Sequence, residues 1–593
     1  MTIDDGPDRG APERPGKIDM PAPVAEPGVL IDRAADPASS CEPARPQRAA
    51  SHELERYTGL FAARTRMMRS SAMRDLMAIT EHPEVISLAG GLPDTSTFSP
   101  ELFEQVMGRV AVDSTARALQ YGPTEGLVGA KDCVIEVMAA EGMGVSRDEI
   151  LITTGGQQVI DLVCKALIDP GDVIIAEAPT YPGAVPTFCS YEAEVIQIEM
   201  DSDGMRIDAL EETLEALSNE GRRPKFIYTI PTFQNPGGVT MSLARRRRLI
   251  AIARERELLV LEDNPYGLLR YEGETLPTLR SLDGGDLVIY LGTFSKILSP
   301  GLRLGWAVAP RPVLAKMNLG KQAADLCSSS TTQHFVSAYF ETGGWLEYIG
   351  VLRELYRRRR DVMLDALSEH FPAQATWTHP QGGLFIWATL PDYIDTTDLL
   401  ARALDEKVAF VPGAAAYIDG RGGSSMRLNF SGVSEDRIRE GVRRIGKTIA
   451  AQVALYGAVS GTPAELGARP AGTGALPASR TSALPASRTS ALPASRTSAL
   501  PASRTGALPA SEPRDRLESG EAAAPREAGG LGPAAPREGG LGSGVPREAG
   551  GLDGGGLVEP EPREVDSELA DVLELPRRAR GEREARPGQK RRG

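Results

Sequence analysis

The sequence is poor in cysteine and histidine, with five of each in 593 residues. Cys41, Cys133, Cys164, Cys189 and Cys327 are scattered without a Cys-x-x-Cys pair, which fits free thiols in a reducing compartment better than a disulfide framework or a zinc site. The histidines are equally dispersed, so no metal centre is expected. Long apolar runs are missing too: no window holds the ~18 or more apolar residues of a membrane span. The first residues, Met-Thr-Ile-Asp-Asp-Gly-Pro, are acidic and carry no apolar h-region, so no signal peptide is read and the cytoplasm is expected. Net positive charge is also lacking. A formal charge of -14, with no basic stripe in the central region, argues against a nucleic-acid partner and favours solubility.

Both flanks lack aromatic residues altogether, since the 4 Trp, 14 Tyr and 13 Phe all lie between Tyr57 and Tyr456. A stretch without aromatics and rich in Pro, Gly, Ala, Ser and Arg buries too little apolar surface to offset its ordering entropy. Residues 1–56, with nine prolines, therefore read as a disordered lead, and 457–593 as a disordered low-complexity tail. The tail repeats Ala-Leu-Pro-Ala-Ser-Arg-Thr-Ser from Ala475, Ala483 and Ala491, and a unit near Pro-Arg-Glu-Ala-Gly-Gly-Leu from Pro525, Pro536 and Pro546. Units this short are below the ~20 to 50 residues of a solenoid layer, so the tail reads as linker-like. Near its end, Val565, Leu569, Val572 and Leu573 have helical spacing ahead of a basic run from Arg577 to Arg592. That segment is a candidate weak docking helix, with an inert solvated tail as the plainer reading.

What is present is an enzyme-sized centre with an alternating pattern. The helical spacing of Ala72 to Thr80 stops at His82-Pro83, and Ile86 to Leu88 reads as a short strand running into the loop Ala89-Gly90-Gly91-Leu92-Pro93. Apolar strands are predicted over Ile150–Thr153, Val173–Glu177, Glu194–Ile198, Phe226–Ile230, Leu258–Glu262, Leu287–Leu291 and Leu304–Ala309. Helices are predicted over Gln157–Ile168 and Ser242–Arg256 between them. Continuous apolar strands joined by helices indicate an α/β fold with a large, mostly parallel sheet covered on both faces. Helical stretches near Val313–Glu341 and Leu346–His370, then a mixed segment to about Tyr456, predict a connecting helix and a smaller α+β domain. In parallel sheets ligands collect at the strand C-terminal ends.

The polar residues of interest stand at those ends. Thr293-Phe294-Ser295-Lys296 follows a buried strand, and a desolvated lysine there favours its neutral, nucleophilic amine. Arg303, seven residues on, suits an anion. Thr154-Gly155-Gly156-Gln157-Gln158 opens a helix, where exposed N-H groups and the helix dipole suit a phosphate, or form an ordinary glycine turn. Tyr181, in Pro179-Thr180-Tyr181, suits stacking on a flat ligand or simple packing. Asp263, at the end of a buried strand, needs a donor or cation unless it caps a helix. Asn235 stands in Gln234-Asn235-Pro236-Gly237-Gly238, where an Asx turn is the bland alternative.

Taken in order, Thr-Gly-Gly-Gln-Gln, Pro-Thr-Tyr, Gln-Asn-Pro-Gly-Gly, Glu-Asp-Asn-Pro-Tyr and Thr-Phe-Ser-Lys-x-Leu-x-Pro-Gly-Leu-Arg-Leu-Gly-Trp resemble the fold-type-I, pyridoxal-phosphate-dependent class I/II aminotransferases. The similarity runs from about Phe61 to Ala450 and is nearest the 2-aminoadipate (LysN-like) and kynurenine aminotransferase branch. It implies a homodimeric enzyme of amino-acid metabolism or biosynthesis that binds pyridoxal 5'-phosphate. The reaction it implies moves an amino group from a 2-aminoadipate-like, aromatic or aliphatic L-amino acid to a 2-oxo acid such as 2-oxoglutarate. The implied layout is an N-terminal arm and part of a small domain over 57–115, a large cofactor domain over 116–320, and the connecting helix with the small domain over 321–456.

Residue by residue, the resemblance implies that Lys296 forms the internal aldimine and shuttles the proton at the substrate Cα, and that Asp263 pairs with the pyridine nitrogen. Asn235 and Tyr266 would hydrogen-bond the phenolate oxygen and Tyr181 would stack on the ring. Gly156 and Gln157, through their N-H groups, would hold the phosphate with Thr293, Ser295 and Arg303. Tyr121 matches a tyrosine that reaches the neighbouring subunit's phosphate. Arg427, otherwise readable as a surface ion pair, matches the clamp on the substrate carboxylate. Asn235 would also face the substrate, and Gly91 matches a substrate-side loop. Gly156 stands where serine is common, and Gly237 where threonine is usual. Two alternatives remain: a β-lyase or decarboxylase on the same scaffold, and an aminotransferase-like regulator, against which the lead shows no helix-turn-helix pattern.

Overall fold

The computed structural model describes residues 57, 59–68 and 82–460. The predicted lead, the Ala72–Thr80 helix, the repeat tail and the Val565–Leu573 segment lie outside the described residues. A short 3-10 helix, Ala63–Met67, belongs to a separate N-terminal unit.

Among the described residues the second unit opens with β1 (Ile86–Ser87) and is dominated by a sheet of β2 (Ile150–Thr153), β3 (Val173–Ala178), β4 (Glu194–Asp201), the two-residue β5 (Gly204–Met205), β6 (Pro224–Thr229), β7 (Leu259–Asp263), β8 (Val288–Thr293) and β9 (Gly305–Val308). Their spatial order is β2-β9-β8-β7-β6-β3-β4-β5. The pairs β8/β7, β7/β6, β6/β3 and β3/β4 are parallel. Strand β9 runs antiparallel to both β8 and β2, so β2 shares the direction of the parallel set.

Every residue of β2, β3 and β8 is buried, which is why these strands read as unbroken apolar runs instead of alternating ones. Apolar clusters fill both faces: Val159, Leu162 and Val163 pack on one, and Leu210, Leu249 and Ile252 on the other. Each such side chain contributes roughly 1.5 to 3 kcal/mol on burial. The direction of the strands sends the ends of β2, β3, β6, β7 and β8, and the start of β9, to one edge.

The smaller region carries β10 (Thr376–Trp377), β11 (Phe385–Thr389), β12 (Val408–Ala409), β13 (Val411–Pro412) and β14 (Ser425–Asn429). Four of these form an antiparallel sheet in the order β10-β11-β14-β13, while β12 pairs in parallel with β1. The last described helix, Glu435–Ser460, continues past Tyr456, and the Tyr456 ring stacks on Tyr393 at 4.1 Å. The predicted stretch from Val313 to Glu341 is two helices, Arg311–Ala324 and Ser330–Glu341. The chain breaks because Leu326 adopts a left-handed φ of 63° and Ser329 caps the second helix by accepting the Thr332 N-H.

Candidate active site

The strand ends converge on a cavity of about 250 Å³. Lys296, Asp263, Tyr181, Asn235, Tyr266 and Arg427 line it, as do Gly156, Gln157, Thr293, Ser295, Arg303 and Gly91. Of the residues given a cofactor or substrate role in the sequence, only Tyr121 lies elsewhere. It is 78% exposed in the single chain.

At one end of the cavity the backbone is tightly fitted. Gly155 has φ 75°, and a Cβ there would fall 2.5 Å from Arg303 Nη2. Across from it, a Cβ on Gly305 would meet Gly155 C at 2.8 Å. Only bare backbone lets β9 approach the turn this closely, which brings the N-terminus of helix Gly156–Leu167 up to the Arg303 guanidinium. Next to it Thr293 Oγ1 donates to Ser295 Oγ at 2.9 Å and accepts the Ser295 N-H at 3.1 Å. Donors of one kind gather here, suited to an anion. The Gln157 side chain turns away and donates to Gly183 O and Thr187 Oγ1, leaving its backbone to the cavity.

In the middle, Lys296 Nζ donates to Gly91 O at 2.6 Å. Burial, reinforced by the Arg427 and Arg303 charges and opposed by Asp263, pulls its pKa down to about 8. Roughly a tenth of the amine is then neutral at pH 7, enough for a nucleophile. Asp263 ends β7, and its Oδ2 accepts from the Tyr228 hydroxyl at 2.7 Å. Burial pushes its pKa up to about 7, with Glu177 adding to the rise and the Tyr228 bond and Lys296 opposing it. It is no helix cap: it is a desolvated carboxyl facing a cavity, and a cation there would relieve it.

At the other end β14 presents Arg427 between β11 and β13, opposite Trp387 and Val411. Arg427 Nη1 donates to Asn235 Oδ1 at 2.9 Å and Nη2 to Ala89 O at 2.6 Å. It is buried and not a surface ion pair; its guanidinium stacks 4.3 Å over the Phe385 ring. Burial lowers its pKa to about 10, which leaves it cationic at neutral pH. Asn235 Nδ2 in turn donates to the Tyr266 hydroxyl at 3.4 Å.

A nucleophilic lysine, a carboxyl awaiting a cation, an anion cup and a buried arginine share one cavity, and the family model for aminotransferase class I and II matches residues 83–445. The chain belongs to the class I and II aminotransferases. It is 44% identical over 395 residues to aromatic-amino-acid aminotransferase 1 of Thermococcus litoralis, covering 66% of this chain and 94% of that one. It is 38% identical over 391 residues to the 2-aminoadipate transaminase of Thermus thermophilus, covering 65% and 96%. The crystal structure of LysN, the α-aminoadipate aminotransferase of Thermus thermophilus complexed with N-(5'-phosphopyridoxyl)-L-leucine, matches with TM-score 0.63 and 37% identity over 67% of this chain and 99% of that one.

The enzyme is thus a pyridoxal-phosphate-dependent transaminase of the fold type expected. Its residues fit the cofactor. The glycine-lined cup and Arg303 suit the phosphate, Asp263 suits a protonated ring nitrogen, and Lys296, lining the same cavity, would supply the amine for the aldehyde.

Two residues of this aminotransferase site were not singled out in the sequence. Tyr228 carries a hydroxyl inside a wholly buried strand and so required a polar partner; that requirement was the readable signal, and the parallel β6/β7 pairing supplies Asp263. Phe385 had no such signal, because its place under Arg427 depends on β11 pairing with β14. A buried network behind both is also new. Gln234 Nε2 donates to Glu177 Oε2 and Pro179 O at 3.1 and 2.8 Å, while its Oε1 accepts the Gly237 N-H at 2.6 Å. Gln234 thereby joins the loop bearing Tyr181 to the one bearing Asn235.

Proposed function

We propose that this aminotransferase takes an L-amino acid with a 2-aminoadipate-like, aromatic or aliphatic side chain and passes its amino group to 2-oxoglutarate. The observation that carries the reading is the single cavity holding Lys296, Asp263 and Arg427. The named activities of the relatives support the substrate class, and the apolar surface of Leu92 and Phe385 suits the hydrocarbon part of such side chains.

Bound pyridoxal phosphate supplies an aldehyde and a ring that accepts the electron pair released at the substrate Cα. The protein does the rest. Arg427, with both of its Nη groups engaged, binds the substrate carboxylate in one orientation and so determines which Cα bond stands across the ring face. Lys296, its amine partly neutral, would take the proton from the substrate Cα and hold it for return in the second half of the exchange. Asp263 would keep a proton on the ring nitrogen, and Tyr228, which donates to its Oδ2, orients the carboxylate for that task. With the cofactor bound, Asn235 and Tyr266, which line the cavity together, would hydrogen-bond its ring oxygen, and Tyr181 would cover the ring face.

Donor screening with 2-oxoglutarate tests the reading: purified protein is expected to form one glutamate for each amino donor consumed. Ammonia or CO2 in that proportion instead would point to a β-lyase or decarboxylase. Leu92, on the cavity wall, belongs to a loop fastened to helix Trp345–His370 through Asp94 N to the Tyr356 hydroxyl at 2.9 Å and Arg359 to Asp94 Oδ2 at 2.7 Å, so the donor range should be narrow within one side-chain size.

The active unit is a homodimer in which Tyr121 reaches the partner's phosphate cup. The exposed apolar residues around it, Leu119 at 79% and Val128 at 58%, support the reading, since single chains rarely leave such groups open together. Sedimentation at micromolar concentration is expected to give twice the chain mass, and a monomer with full activity would refute it.

A further inference from the structure

Helix Arg311–Ala324 buries a lysine for which the roles above have no use. Lys321 is 0% exposed. Its Nζ donates to Asp325 Oδ1 and Oδ2 at 2.7 and 2.8 Å, to Ser328 Oγ at 3.0 Å and to Gln158 Oε1 at 3.2 Å. Asp325 Oδ2 also accepts from Thr154 Oγ1 at 2.9 Å and Gln158 Nε2 at 2.8 Å. Gln158 closes the circuit by accepting the backbone N-H of Thr154 at 2.8 Å. The ion pair therefore grips both ends of the turn Thr154–Gln158, and between those ends stand Gly155, Gly156 and Gln157.

Burying the Lys321 cation is an expensive way to anchor a turn, because its desolvation cancels much of the attraction to the partly exposed Asp325 and an apolar side chain of the same volume would pack as well. What the pair adds is direction. Gly155, with its positive φ, has no side chain to define the turn, so the turn's shape depends on its two ends. The same break in the helix also supports the neighbouring stretch: Gln333 Nε2 donates to Ser328 O at 3.0 Å while its Oε1 accepts the Leu127 N-H at 2.7 Å, and Thr331 Oγ1 donates to Ala118 O at 2.8 Å. Tyr121 lies on that stretch.

We propose that Lys321 and Asp325 are positioning residues for phosphate recognition, acting through Gln158 and Thr154 to hold the N-H groups of Gly156 and Gln157 against the cofactor phosphate. This rests on the reading that the Gly156 and Arg303 end of the cavity takes the phosphate. Because the effect passes through the turn alone, the pyridine end of the cofactor should not sense it.

The test removes the cofactor from the full chain and titrates it with pyridoxal 5'-phosphate and with pyridoxal, following the change in protein fluorescence. Lys321→Met breaks the pair; Gln158→Leu keeps the pair and cuts its grip on the helix end of the turn, leaving the Thr154 bond to Asp325 in place, and so serves if the first variant fails to fold. Both are expected to weaken pyridoxal phosphate binding by about tenfold, the worth of one hydrogen bond to a charged group, while pyridoxal affinity stays within about twofold. Equal weakening of both ligands, or of neither, overturns the proposal. A wild-type protein that binds pyridoxal as tightly as its phosphate would instead overturn the placement of the phosphate, and the proposal with it.

Discussion

Replacing Lys296 with alanine is expected to lower transamination by about 10⁴-fold, since in the proposed mechanism it removes both the nucleophile and the base that moves the Cα proton. The fold should survive. Burial and the Arg427 and Arg303 charges already disfavour a cation at this position, and the only hydrogen bond described for the Lys296 amine, to Gly91 O, is to a carbonyl at the cavity wall. Lys296→Arg separates two explanations. It keeps the charge and most of the volume but has no neutral amine at working pH, so it should be as inactive as the alanine variant. Steady-state kinetics beside a thermal melt reads both effects. A variant that kept more than about a tenth of wild-type turnover would exclude Lys296 from the chemistry.

Why the two ends of the Lys296 stretch were readable while its support was not follows from how each is encoded. Buried parallel strands write themselves as apolar runs, so the exits of β2, β3, β6, β7 and β8 could be placed within a residue or two, and a polar group at an exit stands out against them. Lys296, Asp263, Asn235 and Gly156 were legible for that reason. Tyr228 was not, because a tyrosine in a strand looks apolar until the neighbouring strand and its register are known. Lys321 was hidden differently. It sits in a helix of ordinary composition, and its burial depends on Asp325 folding back at a break that the helical spacing of Val313–Glu341 had masked; the Ser328-Ser329-Ser330 run was the overlooked signal. Gly156 and Gly237, which looked like missing hydroxyls, are filled space instead. A Cβ on Gly156 would meet Leu291 Cδ2 at 2.9 Å, and one on Gly237 would meet Gln234 Oε1 at 2.9 Å. Tyr121 is the opposite case, since only a second subunit would give its exposed ring a task.

Asp263→Asn is expected to cost about 10² to 10⁴ in turnover while making the cofactor-free protein more stable at pH 8. The two effects share one cause. Burial raises the Asp263 carboxyl from 3.8 to about 7, so between those values the folded chain binds a proton that the unfolded chain has released. Stability then falls as pH rises through that window, the reverse of a salt-bridged aspartate. The full difference is roughly 4 kcal/mol above pH 7. Asparagine carries no charge to desolvate and still offers an oxygen to the Tyr228 hydroxyl, so the variant should lack this slope. Glu177 and Glu262 are also raised by burial and contribute slopes of the same sign, so the informative quantity is the difference between wild type and variant. Urea unfolding of both cofactor-free proteins from pH 5 to pH 8.5 measures it. Parallel curves would mean that Asp263 is already ionised and compensated, and would remove the reason to expect it to hold a proton on the cofactor ring. A gap that widens with pH would identify the same desolvated carboxylate as the group that destabilises the empty fold and, once opposite a cation, makes the ring an electron sink.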